Sequence, residues 1–229
     1  MRVLQRLGFT LGLLAGLTVS TGTAHAAFTD YTTKASFDAA IAGLGGVQTV
    51  TFDSVATGTT FPSGTGTGGL TFTYAIAGPS TLEVSSTFGT TSGANYLGLD
   101  NPDTAFYLGD SFTINFNRSV QAVGLYVIAG SDAQAGDMRL TAGAGAVSNS
   151  AAFDVLVSDG QAFYLGLVQS DPGLAFTSAT LQMTFTPDAF LAVTVDDITS
   201  AVTAVPEPET WALMLIGLGS LVRARWRKR

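Results

Sequence analysis

Through the middle of the chain apolar and polar residues alternate in short runs, the period-two pattern of strands with one buried and one wet face. Phe112, Ile114 and Phe116 fall on one side of such a run, Thr113 and Asn115 on the other. Comparable runs, rich in Thr, Val and aromatics, predict strands near residues 48–53, 70–77, 81–85, 95–99, 111–116, 122–129, 137–141, 151–157, 162–169, 179–186 and 191–199. Gly, Asn, Asp and Pro separate them: Ser158-Asp159-Gly160 reads as a hairpin turn, and Asp171-Pro172-Gly173 ends the strand that follows it. One segment has helical spacing instead. Phe37, Ala40, Ile41 and Leu44 recur every three to four positions over 34–44, and Gly45-Gly46 supplies the stop. The pattern predicts an all-β fold, a two-sheet jelly-roll-like β-sandwich with one short N-terminal helix capping an open end. Residues 54–69, rich in Gly and Thr, read as a long surface loop. An echo, Ala105-Phe106-Tyr107-Leu108-Gly109 and Ala162-Phe163-Tyr164-Leu165-Gly166, reads as two similar strand ends rather than a repeat array.

The two ends break this pattern. Arg2 and Arg6 precede an uncharged apolar run, Leu7 to Val19, and Ala24-His25-Ala26 has the small-x-small form of a signal-peptide cleavage site, so the mature chain is expected to begin at Ala27. At the other end come Pro206-Glu207-Pro208, an apolar run from Trp211 to Val222 that reads as a hydrophobic helix, and Arg223, Arg225, Arg227, Lys228 and Arg229. The prolines favour an extended linker, Trp211 suits a membrane interface, and the basic cluster stays cytoplasmic under the positive-inside rule. These three parts, in this order, resemble the PEP-CTERM sorting signal. That resemblance implies an exosortase, a membrane transpeptidase-like enzyme, as processing partner near Pro206-Glu207-Pro208. The apolar run has 12 residues, whereas a full span needs roughly 20. It therefore suits a tether held until processing better than a lasting anchor. The expected divisions are a signal peptide at 1–26, a sandwich domain at 27–204 and a sorting signal at 205–229.

Within 27–204 there are fifteen acids against Lys34, Arg118 and Arg139, a net charge near −12 where the whole chain has −7. A domain this acidic is a poor partner for nucleic acid or anionic lipid, which need basic patches, and a better one for divalent cations. The chain has no cysteine, and its one histidine, His25, lies in the signal. This removes Ser-His-Asp and Cys-His catalysis and the usual zinc ligands from the domain. A Ser-Lys dyad would have to use Lys34 alone, whose surroundings do not mark a site, and carboxylate-pair chemistry of the glycosidase type survives that filter.

Acids interrupting apolar strands are the candidate site. Asp53 follows Val50 and Phe52, and Asp196-Asp197 sits inside Val193-Thr194-Val195-Asp196-Asp197-Ile198. Such carboxylates need hydrogen-bond donors or a cation. An early Phe-Asp strand, Val123-Gly124-Leu125-Tyr126, Tyr164-Leu165-Gly166 and a late Val-Asp-Asp-Ile strand together resemble jelly-roll modules related to carbohydrate-binding domains. That resemblance implies a structural Ca²⁺ where first and last strands approach, with Asp53 and Asp196 or Asp197 as ligands. The alternative is that these aspartates accept backbone N–H groups and organise turns. Asn101-Pro102-Asp103, Ser131-Asp132 and Asp137 rank second, as turns. Both tryptophans, Trp211 and Trp226, lie in the tail. The tyrosines Tyr74, Tyr96, Tyr107, Tyr126 and Tyr164 sit in strand patterns that suit packing better than sugar stacking. The sequence thus predicts an exported, non-catalytic protein of the cell surface or extracellular polymer, with a lectin-like polysaccharide-binding module as the alternative.

Overall fold

The computed structural model describes residues 28–87, 89–100, 106–129, 134, 136–144, 147–152, 161–184, 190–191, 193–204 and 213–218. Among these the chain forms β1 (Phe28–Tyr31), α1 (Lys34–Ile41), β2 (Gly45–Val50), β3 (Thr60–Phe61), β4 (Leu70–Ala75), β5 (Leu82–Ser85), β6 (Tyr96–Leu99), β7 (Phe106–Tyr107), β8 (Ser111–Val120), β9 (Ala122–Ala129), β10 (Met138–Ala144), β11 (Val147–Ala152), β12 (Ala162–Gln169), β13 (Phe176–Met183), β14 (Phe190–Leu191) and β15 (Val193–Val202). One antiparallel sheet runs β1-β12-β9-β15-β6-β5-β3, with β2 also paired to β15. The second runs β11-β10-β13-β8-β4, and β7 pairs with β14 apart from both. The expected all-β sandwich is the fold found.

Alternation makes the two layers. Phe112, Ile114 and Phe116 of β8 point inward, together with Phe72, Leu140 and Leu181, and meet Val84, Leu97, Leu125, Leu165 and Val195 from the larger sheet in one continuous core. Each such side chain contributes about 1.5–3 kcal/mol on leaving water. β8 runs on to Val120 rather than stopping at Phe116 because Val120 pairs with Phe176 of β13, and buried Gln121 then carries the chain into the larger sheet.

The helix is where expected but does a different job. Thr33 caps it, accepting from the Ser36 amide at 3.3 Å, and Lys34 pairs with Asp38 at 2.7 Å one turn on. Phe37 and Ile41 pack on Tyr164, Ala122 and Ala201. Those residues lie on the opposite face of the larger sheet from Val123 and Leu165, so α1 covers the outside of that sheet instead of capping an open end. It stops at Ile41, not Leu44, because Gly45 already pairs with Val202.

Other differences are equally local. The strand expected over 48–53 ends at Val50, because buried Phe52 adopts φ 62° and turns the chain. The expected loop at 54–69 contains β3, whose Phe61 is buried against Phe72 with ring centroids 5.5 Å apart. β1 is too short to read from sequence and is held by β12, more than 130 positions away. Asp171-Pro172-Gly173 forms a 3₁₀ turn, Asp171 Oδ1 accepting from the Gly173 amide at 2.8 Å. The two halves of the echo differ: 106–107 is a two-residue strand, whereas Ala162 opens an eight-residue one. Tyr96 and Tyr164 are buried, as packing tyrosines should be. The turns at Ser158-Asp159-Gly160, Asn101-Pro102-Asp103 and Ser131-Asp132 lie outside the described residues.

Candidate functional site

β15 is the strand on which the site is built. Its one edge pairs with β9 on both sides of a register shift. Its other edge is divided, Val195 pairing with Leu97 of β6 and Ile198 to Val202 with β2. Asp196 and Asp197 stand at the division. The register against β9 slips there, with Asp196 opposite Tyr126 but Thr199 opposite Gly124, and Asp197 takes φ 50°. Such a bulge places an extra residue and re-aims its side chain. Both carboxylates thereby turn onto the segment at 90–95 that precedes β6.

The contacts are specific. Asp196 Oδ2 accepts from the Thr91 amide (3.0 Å), the Thr91 hydroxyl (3.0 Å) and the Ser92 amide (3.1 Å), and its Oδ1 accepts from the Asp197 amide at 2.8 Å. Asp197 Oδ1 accepts from the Ser92 hydroxyl at 2.7 Å, while its Oδ2 lies 3.0 Å from Thr91 Oγ1. Asp53, just past β2, accepts on Oδ1 from the amides of Ala94 (2.8 Å) and Asn95 (3.1 Å). Asn95 Nδ2 closes the ring by donating to the Val55 carbonyl at 2.9 Å. Gly93 is required in the middle: it has φ +50°, and a Cβ there would stand 2.1–2.2 Å from the Asp53 carboxylate.

The structure therefore gathers all three predicted aspartates on one loop, Asp196 and Asp197 at its start and Asp53 at its end. Their partners Thr91, Ser92, Ala94 and Asn95 escape sequence reading, because a donor-rich stretch of Thr, Ser, Gly and Asn looks like any turn. The electrostatics differ across the clamp. Burial pushes the Asp196 carboxyl above the usual range, against the pull of the Asp197, Ser92 and Thr91 amides. At Asp53 the Ala94 and Asn95 amides favour the charged form and hold the carboxyl below it.

Asp196 and Asp197 are both buried and both spent on loop donors, so they present no facing pair to a glycosidic bond. Toward calcium the fit is partial. Two carboxylates and two hydroxyls offer the oxygens that ion takes, and Thr91 has one hydroxyl proton for the two carboxylate oxygens beside it. Among the described residues no group of three acids gathers around one point.

Of the tail, residues 213–218 form helix, with Leu213, Met214, Leu215, Ile216 and Leu218 exposed. Among the described residues no helix is long and apolar enough to cross a membrane. Ala24, Ala26, Ala27, Pro206, Glu207, Pro208, Trp211 and the basic residues Arg223 to Arg229 lie outside the described residues.

Comparison with known proteins assigns the tail. Residues 204–229 match the model of the PEP-CTERM protein-sorting motif. No curated protein matches the chain. Among solved structures it is similar to the K2 cleaved adhesin domain of Lys-gingipain, at 12% identity and TM-score 0.45 over 69% of this chain and 100% of that one. It is also similar to the CBM22-1 xylan-binding domain of Xyn10C from Paenibacillus barcinonensis, at 17% identity and TM-score 0.37 over 66% and 100%.

Proposed function

We propose that this chain, bearing a PEP-CTERM sorting motif at 204–229, is an exported, non-catalytic β-sandwich delivered by an exosortase to the cell surface or the extracellular polymer. The observation carrying this reading is the motif itself, which begins two residues after β15 ends at Val202. Pro206-Glu207-Pro208 serves as the recognition element, Trp211 and the apolar run as the membrane tether, and Arg223, Arg225, Arg227, Lys228 and Arg229 as the cytoplasmic hold. Export begins with the signal at 1–26, cut after Ala26. The absence of histidine and cysteine from 27–204 supports a role without nucleophilic catalysis. The test is to fractionate the host with and without its sorting enzyme and weigh the mature C-terminus. Loss of the basic tail only when the enzyme is present is the expected result. An intact Arg229 in the surface fraction would remove the proposal.

Calcium belongs to the same proposal, with the Asp196 and Asp197 carboxylates as its donors beside Thr91 and Ser92, while Asp53 holds the far end of the loop. Its support is the convergence of two buried carboxylates on the single Thr91 hydroxyl proton. An ion held only by the folded state raises the melting temperature by mass action. Identical melting curves in chelator and in excess calcium would eliminate it.

A polysaccharide-binding module is the second reading. It is favoured by the outer face of the five-stranded sheet, where Thr73, Thr113, Thr180 and Thr141 stand in register across four strands. Thr113 and Thr180 hydroxyls are 2.8 Å apart, and Asn115 Nδ2 donates to Thr73 Oγ1 at 3.1 Å. An uncharged row of hydroxyls suits a neutral polyhydroxylated chain better than a polyanion. Retention on a panel of neutral glycans, lost on replacing Thr113 and Thr180 by Val, is the expected behaviour.

A further inference from the structure

We infer that, until it is processed, the sandwich stands with one particular end toward the membrane, and that this end sets how closely the sorting enzyme must approach the folded domain. The inference rests on the sorting reading above.

The two ends of the sandwich leave from one row of the larger sheet. Phe28 of β1 is opposite Gln169 of β12, the Gln169 amide donates to the Gln121 carbonyl at 2.7 Å, and the Gln121 amide donates to the Ala201 carbonyl at 2.8 Å. First and last strands are thus three strand spacings apart, about 14 Å. Both exits are pinned. The Phe28 ring packs on Phe176 with centroids 5.9 Å apart, and Val202 pairs with Gly45. Arg118 fastens the neighbouring chain, its Nη2 donating to the Gly46 carbonyl at 2.6 Å.

Chain length then favours one orientation. Nine peptide steps separate Val202 from Trp211, and until the signal is cut nine separate Val19, the end of the predicted apolar signal run, from Phe28. At 3.3–3.6 Å per residue neither leash exceeds about 32 Å. The strands between the two ends of the sandwich are eight residues long in β9 and β12, about 27 Å. A leash leaving at Val202 therefore reaches an interface facing the same end with chain to spare. Turned the other way, it would spend about 27 of those 32 Å in running back along the sheet. From Val202 to Pro206 there are only four peptide steps, about 14 Å of reach. Any enzyme acting at Pro206-Glu207-Pro208 works against the surface made by Phe28, Gly45–Val47, Arg118 and Val202, provided the domain has folded first.

The chain has no cysteine, so one introduced thiol is unique. Val47, 53% exposed, lies near this end, and exposed Gln161 precedes Ala162 at the other. Fluorophores on Val47→Cys and Gln161→Cys, in membranes from a host lacking the sorting enzyme, are titrated with a headgroup-located quencher. Quenching at 47 with little loss at 161 is expected; equal or reversed quenching overturns the orientation. In the host with the enzyme, deletion of Thr203 and Ala204 is expected to abolish processing within the normal chase. Replacing the same two residues by Gly-Gly, which keeps length but not identity, is expected to leave it intact. A deletion variant that melts as the wild type and is processed at the wild-type rate overturns the clearance. Failure of the unaltered chain to be processed counts instead against the sorting reading, and the quenching pair still decides the orientation.

Discussion

Asp53 and Asp196 grip the same loop from opposite ends and respond to pH in opposite senses. Amide donors lower the Asp53 carboxyl in the folded state, so its contribution is present above the ordinary carboxylate value and is lost as pH falls through the lowered one. Burial raises the Asp196 carboxyl, so its contribution is fullest below the ordinary value and is lost as pH rises through the raised one. Urea midpoints measured across a pH series should show Asp53→Asn flattening the acid-side rise in stability and Asp196→Asn flattening the decline toward neutral pH. A wild-type acid-side slope in Asp53→Asn would refute the role given to the Ala94 and Asn95 amides. Gly93→Ala places a methyl against the Asp53 carboxylate at a left-handed backbone position, and should cost about 1–3 kcal/mol of unfolding free energy. At this scale the aspartates were legible in the sequence, because acids inside apolar strands stand out. Their donors were not, since Thr91 and Asp196 are 105 residues apart.

Among the elements, β9 and β12 lie side by side in one sheet, and a glycine sets how their side chains fit. A Cβ on Gly124 would lie 2.1 Å from the Tyr164 hydroxyl and 2.7 Å from its ring carbon, so the tyrosine leans across a space only hydrogen can share. Tyr164 in turn contacts Tyr126 and Phe37, with centroids 5.0 and 5.4 Å away, which seats α1 on the sheet. Gly124→Ala should therefore destabilise the fold by about 1–3 kcal/mol through overpacking and loosen the helix, seen as faster amide exchange in α1. Gly43→Ala, with nothing within 4 Å, is the matched control and should stay within about 0.5 kcal/mol of wild type. An undisturbed Gly124→Ala variant would show that Tyr164 is free to move. The sequence offered both glycine and tyrosine, and the boundaries of 122–129 and 162–169 were read correctly from their apolar runs. Which glycine met which ring followed only from antiparallel register, and so did the surface that the helix covers.

For the whole molecule the charge distribution separates the domain from its tail. With fifteen acids against three basic residues in 27–204, association with anionic vesicles should be negligible for a 27–204 fragment at low salt and appreciable for the full chain, whose terminal basic cluster supplies the attraction. Equal binding by both would place the membrane contact on the sandwich. The C-terminal sorting motif, the acidity of 27–204, its lack of histidine and cysteine, and the all-β class were legible in sequence alone, because each depends on composition or on residues a few positions apart. Tertiary structure alone decided that the last strand divides its edge between β6 and β2, that three separated aspartates close on one loop, and that both ends of the sandwich leave from one row of the sheet. Each of these joins residues distant along the chain, and such pairing is fixed by sheet register and burial rather than by any local pattern.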